Sequence, residues 1–182
     1  METTESRLKL LYQLFKPGLA FSIVVTVVPA LLLDERIPSL SLIFYTLLGT
    51  GLAAASAAIL NQVLERSRDA RMHRTRDRPV ASGRLSRGLT FMAGVGSGYA
   101  GFVVLAGAVD LLAAGLAIAN ILIYVVIYTP MKPMSSVNTL LGAICGAIPP
   151  MIGWAAATGA LEVGAWLVGA LLFVWQLPHF FA

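Results

Sequence analysis

Asn61, Glu65 and Asp69 stand four residues apart. At about 100° per residue each four-residue step drifts only about 40° around a helix, so the three side chains line one face over about 12 Å. Carboxylate and amide oxygens are hard ligands suited to Mg²⁺, which proteins hold through one or two carboxylates while substrate phosphates complete its shell. Arg74, Arg78 and Arg84 follow in the same segment, and guanidinium groups grip phosphate oxygens bidentately. Metal-binding oxygens beside arginines describe a site for a polyphosphate. The competing reading is a solvated helix end, in which Glu65 pairs with Arg68 and Asp69 with His73 at i,i+3 and i,i+4.

The elements that must position these residues are membrane helices. The chain is 58% hydrophobic and only 12% charged, far from the balance of a soluble domain. A hydrocarbon core of about 30 Å takes roughly 20 apolar residues in helix to cross. Six runs free of Asp, Glu, Lys and Arg are candidates: Pro17 to Leu33, Ile37 to Leu64 (occupied from about Leu40), Gly88 to Val109, Leu111 to Met131, Pro133 to Leu161 and Val163 to Ala182. The expected fold is all-α, one polytopic transmembrane bundle of about six helices forming a single domain over residues 1–182, with residues 64–87 as its charged active-site loop. No cleavage pattern follows the first run, so it reads as a retained helix and not a signal peptide.

Basic residues favour the cytoplasmic side of short loops. Arg7, Lys9 and Lys16 precede the first run, eight arginines separate the second from the third, and Lys132 follows the fourth. The opposite loops hold only Arg36 of the thirteen basic residues, with Asp34, Glu35, Asp110 and Glu162. The N-terminus and the charged loop are therefore expected on the cytoplasmic face. Topology and anionic lipid explain the net charge of +4, and no nucleic-acid partner is expected.

Cys145 is the sole cysteine and can form neither an internal disulfide nor a cysteine-based metal site alone. Gly94 with Gly98, and Gly142 with Gly146, have the four-residue spacing that lets helices approach closely in lipid. Gly96, Gly98 and Gly101 also spell a dinucleotide-binding pattern, but that motif needs a strand before it and a helix after it, so packing is the reading here. Pro130, Pro133, Pro149, Pro150 and Pro178 should locally break or bend their helices. Tryptophans and tyrosines read as interface markers or packing more than as a cavity lining.

The segment Asn61 to Gly83 resembles the first acidic motif of the membrane-embedded aromatic prenyltransferases, and within them the protoheme IX farnesyltransferase (heme O synthase) branch, especially at Met72, Arg74-Thr75, Arg78-Pro79 and Gly83. Two further blocks agree in order: Tyr128 to Thr139, continuing through Gly142, Gly146, Pro149-Pro150 and Gly153-Trp154, and Phe173 to Phe181 with Trp175-Gln176 and Pro178-His179. The resemblance implies a roughly nine-helix fold, of which this chain matches the first part. It implies transfer of a farnesyl group from farnesyl diphosphate to a vinyl group of heme b, with water completing the hydroxyethylfarnesyl chain of heme O for heme-copper terminal oxidases. By motif match, Asn61, Glu65 and Asp69 would be the catalytic residues that hold Mg²⁺ and diphosphate, and Arg74 and Arg78 would clamp phosphate oxygens. Lys132, the one base of the next cytoplasmic loop, is a third clamp residue or a topology marker. His179 is costly inside a membrane and is the candidate for heme contact, its alternative being a hydrogen bond to a neighbour. Farnesyl diphosphate, heme b and the lipid bilayer are the implied partners, with a heme O-modifying or oxidase-assembly protein beyond them.

The sequence departs from the family at two points. Glu65 stands where many relatives have Asp, a longer arm of equal charge. The chain ends after the sixth run, without the second carboxylate motif that the family carries beyond it, which leads us to expect a fragment with little or no activity alone. Another prenyl acceptor, a quinone precursor or a chlorophyll-type ring, and a non-catalytic membrane fragment are the alternatives. Glu2 and Glu5 speak against a transit peptide, and a bacterial inner membrane is expected.

Overall fold

The computed structural model describes residues 4–33, 37–135 and 137–181. Among them all regular structure is helical: α1 (Thr4–Phe15), α2 (Pro17–Leu32), α3 (Leu40–Leu64), the single turn α4 (Arg66–Asp69), α5 (Arg87–Ala108), α6 (Leu111–Met131), α7 (Asn138–Thr158) and α8 (Val163–Phe181). Helices α3, α5, α6 and α7 are each long and apolar enough to cross a bilayer, and the shorter α8 is apolar over Val163–Pro178. All six expected runs are helices. The chain is an integral membrane helix bundle.

The helix starts follow local chemistry. Ser39 and Ser86 stand outside α3 and α5 with extended backbones, and their hydroxyls accept from Leu42 N and Leu89 N at 3.2 and 3.1 Å. Asp110 does the same for α6 through Leu112 N at 2.6 Å. Each cap satisfies one of the amide donors that a helix N-terminus leaves free.

Close packing of α3 on α5 rests on glycine. A Cβ placed on Gly101 would lie 2.8 Å from Gly49 O and 3.0 Å from Ala53 N, both backbone atoms, and one on Gly98 would lie 2.7 Å from Ser56 Oγ. Ser97 Oγ donates across the same interface to Leu52 O at 2.8 Å. The expected pairing role of Gly94 and Gly98 is therefore met, and the Gly96-Gly98-Gly101 pattern lies wholly inside a helix. Leu105, Ala113, Ala114, Ala117 and Ile152 fill the core between α5, α6 and α7.

The prolines behave unequally. Pro149 and Pro150 lie within α7, Pro178 within α8 and Pro29 within α2, and all three helices continue past them. The expectation of a break holds only around Pro130 and Pro133: α6 widens into a π-helical stretch over Ile123–Tyr128 and ends at Met131. Pro130 has no amide hydrogen to give back to the preceding turn, and wide turns of this kind often mark functional sites.

Ahead of the apolar runs lies the short helix α1, which no apolar run marks in the sequence. Leu10 and Leu14 are buried, and Gln62 Nε2 of α3 donates to Gln13 O and Leu14 O at 3.1 and 3.3 Å, satisfying carbonyls at the end of α1. Lys16 then adopts φ 46°, the left-handed turn that stops a helix, and Pro17 opens α2, where its missing N–H costs nothing. The loop Asp34 to Arg36 lies outside the described residues.

Candidate active site

The charged motif begins on the last turn of α3 and steps onto α4. Glu65 has φ −84° and ψ 0°, which interrupts the helix, yet Glu65 N donates to Asn61 O at 2.9 Å and Asp69 N to Glu65 O at 2.8 Å. These i→i+4 bonds keep the three motif residues stacked on successive turns across the break.

Their side chains are buried. Asn61 is 1% exposed, Glu65 8% and Asp69 3%, which excludes a solvated helix end. Buried carboxylates need partners, and the partners are cations from three separate segments. Arg78 Nη1 donates to Asp69 Oδ2 at 2.7 Å and stands 3.9 Å from Glu65 Oε2. Lys132 Nζ, from the end of α6, lies 3.3 Å from Glu65 Oε1. Arg68 approaches the same oxygen at 3.7 Å, as an i,i+3 pair would. Asp69 thus pairs with Arg78 and not with His73, which is exposed.

The loop after α4 folds back to deliver Arg78. Thr75 Oγ1 donates to Asp69 O at 3.2 Å, Ser82 N to Arg78 O at 2.9 Å, and Leu85 N to Pro79 O at 3.0 Å. Pro79 and Val80 are fully buried, and Gly83 turns the chain with φ 76°, a conformation other residues resist. Arg84 turns away from the carboxylates, donating to Ser82 Oγ and Asp77 O within the loop and to Gln13 Oε1 of α1 at 3.4 Å. Arg74 is exposed, and no hydrogen bond or ion pair joins it to Glu65 or Asp69. Of the proposed clamp residues, Arg78 and Lys132 are brought to the carboxylates and Arg74 stands apart from them.

Lys16 is electrostatically coupled to the site although its sequence position suggested only topology. Burial holds its ammonium below the usual lysine range, Arg78 and Lys132 push it the same way, and Glu65 and Asp69 push back. Its backbone is left-handed, with φ 46°, between the end of α1 and Pro17.

Within the bundle lies a cavity of about 340 Å³, with Asn120, Tyr124, Tyr128, Cys145, Gly146 and Gln176 in its wall. Tyr128 connects the two regions, since Lys132 Nζ sits 4.9 Å above its ring centroid, a cation–π distance. Gln176 covers Gly146 so closely that a Cβ there would overlap its amide. Asn120 Oδ1 is buried in the wall without a hydrogen-bond partner among the described residues. His179 lies near the end of α8, and its side chain is outside the described residues.

Two carboxylates and an amide thus lie buried beside arginine and lysine side chains, next to a largely apolar cavity within a membrane helix bundle. Residues 22–182 match the UbiA prenyltransferase family, and the chain belongs to it. Among curated relatives, it is 47% identical over 140 residues to the protoheme IX farnesyltransferase of Solibacter usitatus (strain Ellin6076), covering 77% of this chain and 48% of that protein. It is 46% identical to the mitochondrial protoheme IX farnesyltransferase of Arabidopsis thaliana over 76% of this chain and 32% of the relative. For the protoheme IX farnesyltransferase of Leptospira biflexa serovar Patoc the identity is 39% over 93% of this chain and 61% of the relative. The chain thus spans from about a third to about three fifths of the length of these curated relatives. No solved structure matches it.

Proposed function

We propose that the full-length protein transfers a farnesyl group from farnesyl diphosphate to a vinyl group of heme b, forming heme O at the cytoplasmic face of the membrane. The observation that carries this reading is the convergence of Glu65, Asp69, Arg78 and Lys132 beside Tyr128, whose ring also lines the cavity. The acceptor is taken from the names of the relatives.

The donor set fits Mg²⁺. Hard oxygens of Glu65, Asp69 and Asn61 would hold the ion, in the number that Mg²⁺ accepts from protein when phosphates supply the rest. Bound Mg²⁺ would neutralise charge on the departing diphosphate. Arg78 and Lys132, which neutralise the carboxylates in this structure, would turn to the phosphate oxygens, and Lys16 would add a third positive charge. Breaking the allylic carbon–oxygen bond places negative charge on that oxygen, and fixed cations aimed there lower the barrier most. The apolar cavity would hold the hydrocarbon chain away from water, so that the vinyl group meets the allylic carbon first.

The test is a reaction of the purified full-length protein with farnesyl diphosphate and Mg²⁺, offered heme b or a phenolic quinone precursor in parallel. A farnesylated, hydrated heme from the first mixture only is the expected result. Product from the phenol alone would replace heme b as the acceptor, and no product from either would remove the transferase reading.

A further inference from the structure

Asn61 reaches across the bundle to α6. Its Nδ2 donates to Thr129 Oγ1 at 3.1 Å, and Thr129 Oγ1 donates to Tyr124 O at 2.7 Å. Both residues are 1% exposed. A carbonyl oxygen only accepts, so the single hydroxyl proton of Thr129 is committed to Tyr124 O and the hydroxyl can offer Asn61 nothing but lone pairs. The group of Asn61 that faces it must therefore be the NH₂. The opposite orientation would set two acceptors against each other in a buried place, at a cost on the order of 1–3 kcal/mol.

We propose that Thr129 is a positioning residue: it fixes the Asn61 amide with nitrogen inward and oxygen free for a divalent cation. The inference rests on the metal–diphosphate reading above and adds a residue to it that touches neither ligand. The π-helical stretch is part of the device, because Tyr124 O, five residues before Thr129, accepts both the backbone N–H and the hydroxyl of Thr129. The wide turn thereby locks the hydroxyl proton, and the locked proton orients the amide. An outer partner of this kind typically governs ligand orientation and 10- to 100-fold of metal affinity.

The experiment uses the full-length protein with Mn²⁺ as the probe and inorganic diphosphate present, read by electron paramagnetic resonance and calorimetry. Thr129→Val should weaken Mn²⁺ binding by about 10- to 100-fold, and Thr129→Ser should restore it. In the Asn61→Ala background the Val substitution should have no further effect, because the amide it orients is gone. Should Thr129→Val fail to fold, Thr129→Cys, similar in volume and a poor acceptor, is read in its place with the same expected direction. Wild-type Mn²⁺ affinity in the Thr129 variant, with Asn61→Ala weakened, would overturn the positioning role alone. Wild-type affinity in Asn61→Ala would overturn the metal reading as well.

Discussion

Arg78 Nη1 lies 2.7 Å from Asp69 Oδ2 and 3.9 Å from Glu65 Oε2, so one guanidinium group from the folded-back loop serves both carboxylates of the motif. Neither carboxylate has been left to water. The loop and the helix end are one structure, and disturbing any of the three charges should be felt at the other two.

Asp69→Asn keeps the shape and removes the charge. Turnover of the full-length protein should fall by about 100-fold or more, the scale on which one electrostatic stabiliser acts, while the bundle still folds as judged by circular dichroism in detergent. Unchanged turnover would remove Asp69 from the metal assignment.

Arg78→Lys keeps the charge and loses the planar fork. The KM for the prenyl diphosphate should rise about tenfold, as expected for one charge-assisted hydrogen bond of roughly 1.5 kcal/mol. Steady-state kinetics at fixed acceptor would show it, and an unaltered KM would speak against phosphate contact by Arg78.

Lys16 gives a pH signature. Its pKa is lowered by burial and by the neighbouring Arg78 and Lys132, so in the range between that lowered value and the ordinary lysine value the unfolded chain binds more protons than the folded one. The cost of keeping Lys16 charged is thus present at neutral pH and is relieved as pH rises through the lowered pKa. A bound diphosphate would favour the ammonium again, and binding at alkaline pH should take up a proton. Calorimetry in two buffers of different ionisation enthalpy measures this, and Lys16→Met should abolish the uptake.

Glycine substitutions separate contact from composition. In Gly101→Ala the new methyl would meet backbone of α3 at 2.8 and 3.0 Å, and overpacking of this kind costs about 1–3 kcal/mol. Gly96, five residues away on the same helix, has nothing within 4 Å. Gly96→Ala should leave the thermal unfolding midpoint in detergent unchanged or raised, while Gly101→Ala lowers it. Equal midpoints would contradict the close α3–α5 packing.

The bundle was legible because apolar runs of membrane length are bounded by charge, and the run after Ile37 was placed from Leu40, where α3 begins. The spacing of Asn61, Glu65 and Asp69 carried their shared face, and Arg78 was named from its proximity in sequence. Sequence proximity did not tell which arginine pairs with the carboxylates: Arg74 stays exposed and Arg78 returns to them, because the fold-back through Thr75 and Pro79 decides it. In the sequence Lys132 is compatible with a topology marker, and only the end of α6 beside Glu65 gives it a partner. Helix α1 is too short and polar to register as a span, and among the described residues Leu10, Leu14, the Gln62 contacts and the Arg84–Gln13 bond hold it in place. Thr129 could not be found from sequence at all, since its role depends on an amide 68 residues earlier.

The measurement closest to the central claim is chromatography of hemes extracted from synthase-deficient cells that express the full-length protein, its Asp69→Asn variant, or residues 1–182 alone. Heme O from the full-length protein, and little or none from the other two, is the predicted outcome. Confirmed membrane expression of the full-length protein without heme O, or heme O from Asp69→Asn at the wild-type level, would contradict the account.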